Sequence, residues 1–371
     1  MPYRSCGRIA RSALMPVVVL VLASACGIGE SVVSTAGSSA KQVPSPNLTE
    51  FGTSRSGTVN AAGDVAISLA FAPGDHVQGV RSAGVVIAPA GRSPVLVPMK
   101  APLSPVAVGA VGGAFVVVAA PCSTPSDEEQ DCQEASRAPS AAFLVDGSGA
   151  MTEIAVPAAY PGVPIGTSGD TATFLADGRI TVFDKTSGAW STKDAAAIGK
   201  QSIVKLNCPA HNLAVVQSYE ALGGGVLTPA STGTTILAVG PDSLATAVVV
   251  DGTSKGSSEM TPVACGDGVV VFDNGSAFIS VGLNGLETSS TPHPDNQQHC
   301  RPLDAATAAA SCGHWDSDGL QTGTDVWDDV DTDKPRRIAQ LPADAAASAL
   351  VVVSDGTTMI FDRSTGKFGG I

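Results

Sequence analysis

Short Val-, Ile- and Phe-rich runs closed by Asp-Gly, Asn-Gly or Ser-Gly pairs, a strand–turn–strand repeat that recurs far along the chain, and the lack of any long 3.6-residue apolar period predict an all-β fold. The architecture that fits them best is a β-propeller of about seven four-stranded blades, with six or eight as the neighbouring counts. It occupies residues 51–371.

The repeat carries most of this expectation. Asp177-Gly178 leads into Arg179-Ile180-Thr181-Val182, then Phe183-Asp184-Lys185, Gly188 and Trp190. Asp355-Gly356 leads into Thr357-Thr358-Met359-Ile360, then Phe361-Asp362-Arg363, Gly366 and Phe368, without a gap in the alignment. Asp-Gly suits the centre of a hairpin turn because both residues tolerate positive φ. Weaker copies follow Phe143-Leu144-Val145-Asp146-Gly147 and Val271-Phe272-Asp273-Asn274-Gly275. One unit on each copy gives starts near 57, 103, 160, 200, 259, 297 and 342. The spacing is roughly 45 residues, as propeller blades require. The last unit is short, and a strand from near residue 57 is expected to complete it and close the ring. A pair of β-sandwiches is the rival architecture, but it leaves the distant repeat unexplained.

The N-terminus reads as an export signal over residues 1–25. Arg4, Arg8 and Arg11 form a positive region without acids, Ala13 to Ala23 is apolar, and Ala23-Ser24-Ala25 offers small residues for cleavage. That apolar run is about half of what a membrane-spanning helix needs, and no other segment approaches roughly 18 uninterrupted apolar residues. Leu22-Ala23-Ser24-Ala25-Cys26 resembles the lipobox of bacterial lipoproteins, although the leucine stands one place further from the cysteine than in the usual pattern. The resemblance implies lipidation at Cys26, with palmitate-type acyl chains holding the protein outside the cell membrane. Cleavage by the ordinary signal peptidase, leaving a secreted protein, is the alternative. Residues 26–50 are rich in Ser, Gly, Pro and Ala and read as a flexible linker. Signal and stalk together look like those of an actinobacterial cell-envelope lipoprotein.

Of eight cysteines, Cys6 leaves with the signal and Cys26 would carry lipid. Six remain, and an even number in an oxidising compartment reads as three disulfides. The expected pairs are Cys122–Cys132, Cys300–Cys312 and, by elimination, Cys208–Cys265. A zinc site built from His299-Cys300 and Cys312-Gly313-His314 is the competing use of two of them.

Loss of the three signal arginines takes the formal net charge from −13 to −16. Such a balance argues against nucleic acid and against anionic lipid surfaces, leaving the lipid as the sole membrane contact. The architecture is similar to β-propellers in general. It lacks the Gly-His and Trp-Asp signature of WD repeats, and Trp190, Trp315 and Trp327 are too few for the docking motifs of quinone-dependent dehydrogenases. Gly252-Thr253-Ser254-Lys255-Gly256 matches the serine-hydrolase elbow formally, but no helix can follow it in Ser257-Ser258-Glu259-Met260-Thr261-Pro262.

No catalytic residues are assigned. The expected function is a non-enzymatic binding or scaffold module for an envelope protein, peptide or glycan. The alternative is an extracytoplasmic propeller lyase, glycosidase or quinone-dependent dehydrogenase acting through carboxylates at the channel mouth. Recognition is expected in the loops 121–140, 219–233 and 313–334, with Tyr219, Trp315 and Trp327 as binding residues, although both tryptophans could instead pack between blades. No cofactor is expected; calcium is the one cation that Asp316, Asp318 and Asp325 would take, against the simpler reading of a solvated acidic loop.

Overall fold

The structure, a computed structural model, describes residues 51, 53–70, 82–89, 92, 94–122, 138–195, 202–222, 226–240, 244–250, 260–266, 268–283, 287–293, 300–302, 309–315, 321–342, 349–354, 357–362 and 367–370. These form six four-stranded antiparallel sheets and one of three strands, each a meander of consecutive strands. Blade 1 runs from strand Thr53–Val59 to Val95–Pro98 and blade 2 from Leu103–Val111 to Met151–Glu153. Blade 3 runs from Val163–Ser168 to Ala189–Asp194 and blade 4 from Ser202–Cys208 to Leu244–Val250. Blade 5 runs from Thr261–Gly266 to Glu287–Pro292 and blade 6 from Cys300–Pro302 to Arg336–Pro342. Blade 7 comprises Ala349–Ser354, Thr357–Asp362 and Lys367–Gly370. The expected starts of the first six units agree with the observed first strands to within four residues; the seventh, near 342, falls in the last strand of blade 6, and the first described strand of blade 7 begins at Ala349.

The first strands of blades 1 to 6 contact one another in sequence, and that of blade 1 also meets Ala349–Ser354 of blade 7. Blades therefore stand around an axis with their first strands innermost, which is a β-propeller of seven blades. Among the described residues no helix is long and apolar enough to cross a membrane.

One detail differs from expectation. Strand Thr53–Val59 does not complete the last sheet; it pairs with Val65–Ala70 as the inner strand of blade 1. Where first and last blades meet, the inner strand of blade 1 packs beside a blade 7 strand. A short final unit shows only that the last blade has fewer strands, not which segment would supply another.

The core is divided between blades, and this explains the unbroken apolar runs in the sequence. In strand Ala114–Pro121, Phe115 and Val117 pack with Ala66, Val85 and Ile87 of blade 1, whereas Val116 and Val118 pack with Ala172 and Phe174 of blade 3. Side chains alternate across a strand, so a sheet buried on both faces needs apolar residues at successive positions. The same division recurs at Val215 and Val216 of blade 4, and at Val270 and Val271 of blade 5.

Inner strands carry a recurring irregularity. Their register shifts at Arg55, Val106, Ile165, Lys205 and Val263, where one extra residue is inserted against the neighbouring strand. Pro105, Pro164 and Pro262 stand directly before three of these bulges. Proline has no N–H for a ladder and is tolerated at an edge or bulge, as here.

Turns from first to second strand emerge at one end of the ring and link the blades. Ala61 donates its N–H to Gly112 O at 3.0 Å, and Gly112 donates to Gly169 O at 2.7 Å. Gly112 has φ +55°, a conformation that favours glycine. Asn212 continues the series, its Oδ1 accepting the Thr167 N–H at 3.0 Å. The 3-10 turn Pro209–His211 also contacts strand Thr53–Val59, three blades away, so blades 1 and 4 approach each other across the ring.

Candidate functional site

Connections from second to third strand emerge at the opposite end of the ring, because every blade is a meander of the same sense. In blade 3 this connection is the two-residue turn Asp177-Gly178, with φ of 48° and 69° as a type I′ hairpin needs. In blade 4 it tips a long hairpin: strands Leu213–Leu222 and Val226–Val239 stay paired as far as Leu222 and Val226. Residues 219–222 and 226–233, expected as loop, are therefore strand, and Tyr219 stands opposite Pro229 on this extension. Cross-strand pairing of Gln217 with Thr234, resumed at Tyr219 and Pro229, overrides the glycine-rich composition that suggested a loop. Strands Ala114–Pro121 and Ala310–Trp315 end at the same side, but of the segment 313–334, expected as loop, residues 321–328 are strand and the turn after Asp328 lies at the opposite end.

Ile203 is 49% exposed, and Lys205 and Arg301 are also exposed, each on the inner strand of its blade. The bulge at Lys205 breaks the strict alternation that would bury every second residue. Arg55 occupies the bulge of blade 1. Among the described residues, the six inner strands of the four-stranded sheets contain these three cations and no Asp or Glu, in a chain with 34 acidic and 21 basic residues.

The interface of blades 5 and 6 holds the densest polar cluster among the described residues. Asp273, at the end of strand Val269–Asp273, accepts the N–H of Gly275 at 2.7 Å and of Cys300 at 2.8 Å, and lies 3.1 Å from His293 Nε2. Burial alone would raise this carboxyl; the hydrogen bonds from His293, Cys300 and Gly275 outweigh it and hold the group below its ordinary range. The His293 ring packs against Phe278 with centroids 4.7 Å apart. Cys300 is bonded to Cys312, directly opposite it on the next strand. On the other side of Cys312 stands Asp325, fully buried, with His314 Nε2 at 2.9 Å and Arg337 Nη1 at 3.1 Å.

Asp325 therefore does not belong to a solvated acidic loop. It sits in strand Gln321–Asp328, where burial and a cationic partner give it a structural role. Trp327 is 5% exposed and packs with Val263, Phe278 and Ala310 between blades, so it is removed from the recognition surface. Strand alternation places a large apolar residue there against blade 5. Trp315 ends strand Ala310–Trp315, where the second strand of blade 6 gives way to its third. Asp316, Asp318, Cys132, Cys26, residues 1–50 and the Gly252–Gly256 elbow lie outside the described residues.

Disulfides Cys208–Cys265 and Cys300–Cys312 are both present as expected, and Cys122 is disulfide-bonded. The first joins neighbouring blades 4 and 5 within an apolar cluster of Leu206, Leu213, Ile236 and Phe272.

Asp328, Asp329, Asp331 and Asp333 lie at the end of the ring where first strands turn into second strands, in the connection from third to fourth strand of blade 6. Arg336 pairs with Asp328 at 3.1 Å and lies 3.9 Å from Asp329. Backbone carbonyls of Asp331 and Thr332 accept from Ser280 Oγ and Thr291 Oγ1 of blade 5 at 3.4 and 3.2 Å. The Asp331 side chain rests on Gly266, where a Cβ would collide with it. Burial pushes this carboxyl above its ordinary range, Asp329 and Asp328 add to the effect, and His211 of blade 4 opposes it. This turn is thus a latch between blades.

Sequence reasoning passed over His293, as an isolated histidine, and the sign of the inner strands. The second signal was available once units were aligned, since Arg55, Lys205 and Arg301 all lie near unit starts.

No family model and no curated protein matches the chain. Among solved structures it is similar to a chain of the mitotic checkpoint complex, at 11% identity and a TM-score of 0.44, over 96% of this chain and 99% of that one. It is similar to hydrazine synthase of Kuenenia stuttgartiensis at 14% identity and a TM-score of 0.44, covering 90% and 98% of the two chains. It is also similar to apo AztD from Citrobacter koseri, at 10% identity and a TM-score of 0.40 over 78% and 90%.

Proposed function

We propose that the chain is a cell-envelope lipoprotein whose propeller is a non-enzymatic binding or scaffold module, engaging an anionic segment of an envelope protein, peptide or glycan at the end from which the long hairpin projects. The observation that supports this reading is the sign of the inner strands: Arg55, Lys205 and Arg301 with no carboxylate among their described residues, inside an otherwise acidic chain. A cleft lined by one sign of charge with low-dielectric walls concentrates the field on a ligand of the opposite sign. Ile203 adds an apolar contact beside Lys205. A binding role is further supported by the buried carboxylates among the described residues. Asp64, Asp273 and Asp325 sit in different blades or on different strands, engaged with Asn60, His293 and His314 respectively. Envelope localisation is supported by the disulfides, which persist in oxidising compartments.

The test is binding of a hexaglutamate peptide, with hexalysine as control. The wild type is expected to bind the acidic probe, more weakly as salt rises. Lys205→Glu/Arg301→Glu is expected to lose at least about 10-fold in affinity, or roughly 1.4 kcal/mol. Equal binding by wild type and variant would overturn the assignment. For the anchor, a fatty-acid analogue should label the wild type and not Cys26→Ser; equal release of both proteins into the medium would refute lipidation.

A further inference from the structure

We propose that the Cys300–Cys312 disulfide masks a zinc site, which Cys300, Cys312, His293 and Asp273 form when the two thiols are reduced. Ligand atoms of Asp273, His293 and Cys300 all lie within 4.8 Å of one another, and the Cys312 sulfur is bonded to that of Cys300. Two sulfurs, an imidazole nitrogen and a carboxylate oxygen make a four-coordinate set of the kinds zinc takes.

Three features set this disulfide apart from Cys208–Cys265. First, its cysteines face each other in register within one hairpin, Cys300 opposite Cys312 with Cα atoms 4.0 Å apart, so breaking the bond leaves the thiols adjacent. Cys208 and Cys265 belong to different blades and lie among apolar side chains. Second, all four groups are shielded: Cys300 is 3% exposed, Cys312 0%, and the His293 and Asp273 side chains 2% and 4%. A closed structural zinc site has this character. Third, Asp273 is already oriented by the N–H groups of Gly275 and Cys300, and the Phe278 ring packs against His293. Ligands fixed by such outer contacts lose little freedom on binding a metal.

The chemistry balances with a dithiol reductant. The reductant passes two electrons and two protons to the disulfide and becomes a disulfide itself. Zn2+ then displaces the two thiol protons to solvent, and the imidazole binds in its neutral form with its proton on Nδ1. In the oxidised protein both sulfurs are engaged in the disulfide while His293 Nε2 lies 3.1 Å from Asp273 Oδ1, so the site exists only in the dithiol state.

The experiment measures zinc retained by the full chain after anaerobic reduction, zinc loading and dialysis, with the oxidised chain in parallel. Reduced wild type is expected to retain one zinc per chain and the oxidised form none. Cys300→Ser/Cys312→Ser should retain none, and His293→Ala should bind at least about 10-fold more weakly. Loading the reduced wild type with Co2+ instead needs no variant: a thiolate-to-cobalt charge-transfer band with a tetrahedral d–d spectrum is expected. Absence of bound zinc in the reduced wild type, zinc that survives Cys300→Ser/Cys312→Ser, or a cobalt spectrum without thiolate ligation would each overturn the proposal.

Discussion

Asp273→Ala should lower the unfolding free energy by about 3–5 kcal/mol, because it strips the acceptor from three donors in a site where the carboxylate is 4% exposed. Gly275 N–H, Cys300 N–H and His293 Nε2 all point at this side chain, and two blades depend on it. The contribution has a definite pH dependence. Asp273 is held below its ordinary range in the folded chain, so its stabilisation is present above the unfolded carboxylate value of about 3.9. It is lost as pH falls through the folded value. Thermal melts at pH 7 should therefore separate wild type from variant by several degrees, and the gap should close well below pH 4. Equal melting at pH 7 would show that the two blades do not rely on this carboxylate.

Cys208→Ser/Cys265→Ser should cost about 4 kcal/mol, from the chain entropy released when a loop with a sequence separation of 57 is opened. Opening Cys300–Cys312, with a separation of 12, releases roughly 3 kcal/mol by the same relation. The first pair closes over nearly the whole of blade 4, so its loss should also loosen the contact between blades 4 and 5. Urea midpoints with and without reductant check this. The oxidised double variant should fall clearly below oxidised wild type, and reductant should narrow the difference between them. If reductant leaves the wild-type midpoint unchanged, the bond adds nothing to stability.

Blade boundaries were legible because their signal is local. A hairpin needs a turn that tolerates positive φ between two apolar runs, and Asp177-Gly178 states this within a few residues. The same locality limits what the signal means. Asp177-Gly178 joins the second and third strands of blade 3, whereas Asp355-Gly356 lies between the first two strands of blade 7. Both motifs announce a hairpin, and neither reports its place in a blade. The long hairpin of blade 4 was obscured for a related reason. Gly223-Gly224-Gly225 reads as loop in the sequence, but pairing of the flanking residues as far as Leu222 and Val226 is set by the partner strand rather than by composition.

The sequence by itself pointed to strand content, to about seven blades and their spacing, and to two disulfide pairs that the structure contains, since each follows from short-range pattern or from counting. Only the tertiary structure decided which side chains meet across a blade interface. Asp325 and Trp327 read as members of an exposed acidic segment, yet strand alternation turns both toward blade 5, where one finds His314 and Arg337 and the other an apolar cluster. His293 and Asp273 lie far apart from Cys312 along the chain and become neighbours only when blade 6 packs on blade 5. Arg55, Lys205 and Arg301 gain a shared meaning in the same way, because closing a ring brings inner strands from different blades around one axis, and no local pattern encodes that convergence.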